Sequence, residues 1–88
     1  MHRIDHQTGP NGYESTTYAD AADFRPGRNV AIVNRDRSGR YTVTGGWQER
    51  NGWNGCIEFC CAPSSPMREY KTERGALRAA KRYIESRA

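Results

Sequence analysis

The clearest periodicity in the chain lies near its C-terminal end. Leu77, Ala80 and Ile84 follow an i, i+3, i+7 spacing with Ala76 and Tyr83 beside them, which predicts an amphipathic helix. Thr72 is the predicted N-cap, and Glu73 puts negative charge where a helix start favours it. Gly75 in the first turn costs about 1 kcal/mol. Upstream the period shortens to that of strands. Asn29–Asn34 is a near-continuous apolar run, with Val30 and Ile32 on one face and Ala31 and Val33 on the other, as in a strand covered on both sides or central in its sheet. Arg35–Arg40 reads as a hairpin loop, because Asp36 and Gly39 supply the backbone conformations a turn needs. Tyr41–Thr44 alternates strictly, so Tyr41 and Val43 share a face. Gly45-Gly46 marks a bulge or a close backbone approach, and Trp47 ends the strand. Gln48–Gly55, with Asn51-Gly52 as a tight-turn signal, is read as a loop leading to a third strand, Cys56–Cys61, which Pro63 and Pro66 stop.

Residues 1–27 have no such order. Gly9-Pro10-Asn11-Gly12 and Pro26-Gly27 are turn clusters. Ser15-Thr16-Thr17 suits an extended segment, and Tyr18–Phe24 a short helical turn anchored by its aromatics. The expected organisation is an irregular N-terminal arm over 1–27 and one β-β-β-α domain over 28–88. The fold class is α+β: three or four antiparallel strands with the C-terminal helix across one face. Leu77, Ala80 and Ile84 are expected to pack on Val30 or Ile32, Tyr41, Val43, Ile57 and Phe59.

Composition narrows this further. The 88 residues include one leucine, so aromatic side chains must fill much of a thin core. A domain of this size buries about 60–65% of the surface its unfolded chain exposes. A homodimer or a larger complex would therefore help it. No apolar run is long enough to cross a membrane. Met1–His6 has no apolar stretch after its charges, which argues against a secretory signal and predicts a cytoplasmic location, that of the host cell if the gene is a phage's. Cys56, Cys60 and Cys61 cannot all pair within one chain and are expected to be free thiols.

The net charge of +4 is unevenly spread. Beyond residue 70, Lys71, Arg74, Arg78, Lys81, Arg82 and Arg87 outnumber Glu73 and Glu85, leaving +4. Arg28, Arg35, Arg37 and Arg40 against Asp36 give residues 28–40 a charge of +3. One hairpin and one helix thus hold the positive field, which favours an acidic partner. Catalysis finds less support. His2-x3-His6 and Cys56-x3-Cys60 offer zinc-type donors, yet two cysteines four apart on a strand stand about 13 Å apart. No sequence context brings either histidine to a cysteine as a catalytic base. Gly45-Gly46 meets neither nucleotide-loop pattern. The expectation is a protein without cofactor or metal that binds and does not catalyse. Arg35, Arg37, Arg40, Arg74, Arg78, Lys81 and Arg82 are the candidate contacts, with Trp47 or Trp53 as a docking anchor, tryptophan and arginine being common at binding hot spots.

Two resemblances sharpen the expectation. Ser38-Gly39-Arg40-Tyr41-Thr42-Val43 at the hairpin, and Tyr70-Lys71-Thr72 leading to Ala76, Ala79 and Ala80, make residues 30–88 resemble the three-strand-plus-helix modules of phage integrase arm-binding domains and plant AP2 domains. That resemblance implies DNA contact through the sheet, with Arg35, Arg37, Arg40 and Thr42 as contacts. Thr44, Glu58 and Cys60 stand at strand positions where those modules carry basic residues. In size and style the chain also resembles the small phage inhibitors of anti-CRISPR type. That likeness implies a stand-alone protein blocking a nucleic-acid-processing complex by occupying its surface. The leading expectation is such an inhibitor, docked on a larger protein or nucleoprotein complex. Direct binding of double-stranded DNA as a regulatory or accessory protein is the alternative.

Overall fold

The computed structural model describes residues 1–23, 25–50, 57–61 and 68–86, and of residues 50 and 57–61 the backbone alone. Trp53, Cys56, Phe24, Arg87, the Asn51-Gly52 turn and the two prolines after the third predicted strand lie outside the described residues.

The chain is α+β, with more strands than its pattern suggests. Strands β1 (His2–Thr8), β2 (Glu14–Ala19), β3 (Asn29–Arg35), β4 (Tyr41–Arg50) and β5 (Ile57–Cys61) form an antiparallel meander in that spatial order. A short β6 (Arg68–Tyr70) precedes α1 (Glu73–Ser86). β4 is long enough to serve two neighbours along one edge. Its residues 46–50 pair with β5, and Tyr41–Val43 pair with β6. This corrects the expected three or four strands and the loop placed at Gln48, which is still within β4.

The irregular arm is corrected as well. Residues 2–19 form a hairpin that extends the sheet, and Tyr18 sits in β2 opposite Ala31 of β3 rather than in a helical turn. The turn is made by Asn11-Gly12, whose φ values of 62° and 80° lie in the left-handed region favoured by this dipeptide in tight hairpins. β1 carries one aliphatic residue, Ile4, at a register shift between Arg3 and Asp5. Ladder hydrogen bonds hold an edge strand without an alternating apolar face, so hydropathy alone does not reveal it.

The two faces of the sheet differ. On one, Ala31, Val33 and Val43 pack with Ala76, Ala80 and Ile84 of α1, and Tyr18, Tyr41, Tyr70 and Tyr83 close the sides. Alanines at 76 and 80 let the helix approach the sheet closely. Of the three helix residues expected in that contact, Ala80 and Ile84 are buried and Leu77 is half-buried, beside Tyr18, Val33 and Tyr41, while Val30 and Ile32, the expected partners, lie on the other face. Burial, then the nearby Glu73 carboxylate, raises the Tyr18 phenol above its ordinary range against the pull of Arg3. On the other face Ala19, Val30 and Ile32 cluster with Ile4. Val30 is the largest fully buried side chain among the described residues, as expected for a strand covered on both sides.

Thr72 caps α1 as predicted: its Oγ1 accepts a hydrogen bond from the Gly75 N–H at 3.1 Å. The helix runs alongside β4. Its first turn lies by Tyr41, and near its end the Tyr83 ring rests on the bare backbone of Gly45, where any Cβ would collide with it. The close approach predicted at Gly45 is therefore a helix–sheet contact.

Candidate binding surface

The β3–β4 turn is built by Asp36. Its carboxylate accepts hydrogen bonds from the Ser38 N–H (2.9 Å), the Ser38 hydroxyl (2.5 Å) and the Arg40 N–H (3.1 Å). Gly39 takes the left-handed position with φ of 85°, and its N–H donates to the Asp36 carbonyl at 3.0 Å. The Ser38 hydroxyl and the Arg40 amide hold the Asp36 carboxyl below its ordinary range. This rigid turn carries Arg35, Arg37 and Arg40, all exposed. Arg35 stands 3.9 Å from Glu14 and Arg40 3.8 Å from Glu69. Exposed pairs this long contribute about 0–1 kcal/mol and leave both arginines accessible. Arg37 makes no ion pair among the described residues.

Arg74, Arg78, Lys81 and Arg82 are exposed and line the outer side of α1, opposite Ala76, Ala80 and Ile84. Lys81 lies 3.9 Å from Glu85, one turn on, and the three arginines make no ion pair among the described residues. Tyr41, next after the turn, pairs with Tyr70 just before the helix cap. The hairpin arginines and the first turn of the stripe therefore stand at the same end of the sheet.

Other predicted contributors fall elsewhere. Arg28, counted toward the positive hairpin, points inward with its side chain only 10% exposed. It reaches the Asp20 carboxylate at 3.3 Å, the Asp23 carboxylate at 3.1 Å and the Asp23 carbonyl at 2.6 Å. The Arg28 hydrogen bond, with its charge, holds the Asp23 carboxyl below its ordinary range. Trp47 is half-buried within β4, in register between Asn29 and Cys60, and not on a loop. By strand alternation from Val43 and Gly45 it belongs to the side of the sheet that carries α1.

The opposite face offers little to an anion. Thr17, Ala19, Val30, Ile32, Thr44 and Gln48 are buried there, and no lysine or arginine joins them among the described residues. The hydroxyl oxygen of Thr44 and the side-chain carbonyl of Gln48 have no hydrogen-bond partner among the described residues.

Sequence reasoning missed a groove of about 320 Å³ between α1 and the β4–β6 edge. Val43, Gly45 and Ala79 line it together with Tyr70, Tyr83 and Ser86, and the exposed Arg68 and Arg82 flank it. Only Gly45, flagged as a point of close approach, pointed to it in the sequence. Among the described residues no three His, Cys, Asp or Glu side chains gather as a metal site, and no helix is long and apolar enough to cross a membrane. Compared with family models, with curated proteins and with solved structures, the chain has no significant match.

Proposed function

We propose that this domain is a non-enzymatic binding protein of the phage-inhibitor type. It docks on a nucleic-acid-processing complex through the outer face of α1 and the β3–β4 hairpin. One observation carries the reading. Arg74, Arg78 and Arg82 stand in a row on a helix braced by the sheet, with no internal carboxylate engaging them among the described residues. Cations that the fold itself does not use remain available to an acidic surface, where they raise the encounter rate and fix orientation.

Direct reading of duplex DNA is the second reading, and the sheet weakens it. A module that inserts its sheet into a groove needs an accessible face carrying donors and positive charge. Here the centre of the face away from the helix is closed: Thr17, Ala19, Val30, Ile32, Thr44 and Gln48 are all buried, and none of them is a lysine or arginine. Phosphate contact through the helix stripe alone would be non-specific and steeply salt-dependent.

The test uses purified RNA-guided nuclease complexes. The wild-type protein should bind one of them and slow its target cleavage, and Arg74→Glu with Arg78→Glu should abolish both effects. Equal potency of that variant removes the surface from the reading. A gel shift on duplex DNA at low salt that disappears at moderate salt, without any effect on the complexes, favours the second reading.

A further inference from the structure

We infer that the groove between α1 and the β4–β6 edge receives an apolar or aromatic side chain from an acidic segment of the partner protein. The inference rests on the docking reading above and deepens it. It assigns the partner a short sequence chemistry: one hydrophobic anchor flanked by aspartate or glutamate.

Three features lead there. The groove's volume of about 320 Å³ exceeds what one buried side chain needs and sits at the low end for ligand pockets of roughly 300–1,000 Å³. Its lining is mainly apolar: Val43 and Ala79 contribute alkyl groups and Tyr70 and Tyr83 contribute rings, the Tyr83 ring lying on Gly45, with Ser86 adding a neutral hydroxyl beside them. Its flanks are cationic: Arg68 and Arg82 are exposed and make no ion pair among the described residues.

The lining decides between kinds of occupant. A nucleic-acid base carries hydrogen-bonding groups around its edge, and the alkyl groups of Val43 and Ala79 would leave those facing them without partners, at a cost. A leucine or phenylalanine side chain has no such groups and gains from leaving water. The arginines then meet carboxylates on either side of the anchor, with planar forks suited to bidentate contact. Arg82 belongs both to the groove's flank and to the helix stripe, so one acidic segment could pass from the groove onto Arg78 and Arg74.

Three fluorescein-labelled nonapeptides test this by anisotropy. The first has phenylalanine centred among aspartates and glutamates, the second has serine at the centre, and the third keeps phenylalanine but carries lysines in place of the acids. The phenylalanine peptide should bind about tenfold tighter than the serine peptide, as expected for an anchor in a pocket, and the lysine peptide should not bind. Ala79→Met, which fills the groove without changing charge, should erase the phenylalanine preference and leave serine-peptide binding as it was. Should that variant fail to fold, amide shifts of the wild-type protein decide. Movement at Val43–Gly45 and Ala79–Tyr83 on adding the phenylalanine peptide supports the groove, and movement confined to Arg74–Arg78 overturns it.

Equal binding of the phenylalanine and serine peptides, weakened by Arg74→Glu with Arg78→Glu, would overturn the groove and leave the docking surface standing. Displacement of the phenylalanine peptide by oligo-dT at lower concentration than by unlabelled peptide would also overturn it, in favour of a base-binding groove. No binding of any acidic peptide would overturn the groove, while the docking reading stands or falls on the nuclease complexes.

Discussion

Arg28 and Arg78 are the same amino acid in opposite circumstances. Arg28 reaches into the 20–28 loop, where two carboxylates and two backbone carbonyls surround its guanidinium. Arg78 stands on the outer side of α1, exposed and without an ion pair among the described residues. The first holds a connection in shape, and the second does nothing the fold requires. A sum of positive charge treats the two alike, although only a cation left over from folding is available to a partner.

The contrast can be broken by substitution. Arg28→Ala should cost the most, about 2 kcal/mol, because it removes several charged hydrogen bonds from a nearly buried guanidinium, although the exposed Asp20 and Asp23 carboxylates can then turn to water. Thermal or urea unfolding measures it, and a change below ~0.5 kcal/mol would make Arg28 a bystander. Acid reaches the same contact from the other partner. The Asp23 and Asp36 carboxyls are held below their ordinary range, so their stabilisation is complete above the unfolded carboxylate pKa. It is lost as pH falls through the lower folded values. Unfolding midpoints followed from pH 7 to about pH 2 should therefore decline below the ordinary carboxylate range. Asp23→Asn with Asp36→Asn should flatten that decline.

Smaller effects sharpen the other side of the comparison. Thr72→Ala removes the cap of the helix that carries the cationic stripe and should cost about 1 kcal/mol. Acidic-probe binding measured under native conditions should be unchanged, because the arginines keep their places. A double-mutant cycle on Arg40 and Glu69 should give a coupling of about 0–1 kcal/mol, since both side chains are largely exposed. Smallest of all, Arg74→Ala and Arg78→Ala should each shift stability by no more than about 0.5 kcal/mol while weakening the acidic probe. Stability loss as large as that of Arg28→Ala would mean that the stripe is structural and the docking surface lies elsewhere.

Much of the fold was legible in local pattern. The amphipathic period and Thr72 mark α1, the mixed apolar run marks β3, and Asp36 with Gly39 marks the turn into β4. The first hairpin was hidden because its evidence is weak in hydropathy and strong in turn chemistry. His2–Thr8 has one aliphatic residue, yet Asn11-Gly12 is the dipeptide that tight hairpins favour. Asn11-Gly12 is thus the local signal that marks two strands in residues 2–19. Leu77 belongs to the helical stripe with Ala80 and Ile84 but stays half-buried. Helix periodicity locates an apolar stripe, but the closest contact goes to residues small enough to let two backbones approach, here Ala76 and Ala80.

Elements set by neighbours in sequence were thus written in the chain: the capped helix, the Asp36 turn, the strands at 29–35 and 41–44, and an outward row of cations one helical turn apart. Tertiary structure alone decided which arginines remain available and where a groove opens. Arg28 is silenced by a loop that folds back over it, and the groove wall forms where Gly45, far from Tyr83 in sequence, offers bare backbone on which the Tyr83 ring can lie. Such outcomes depend on which distant residues meet, and local spacing carries no information about that.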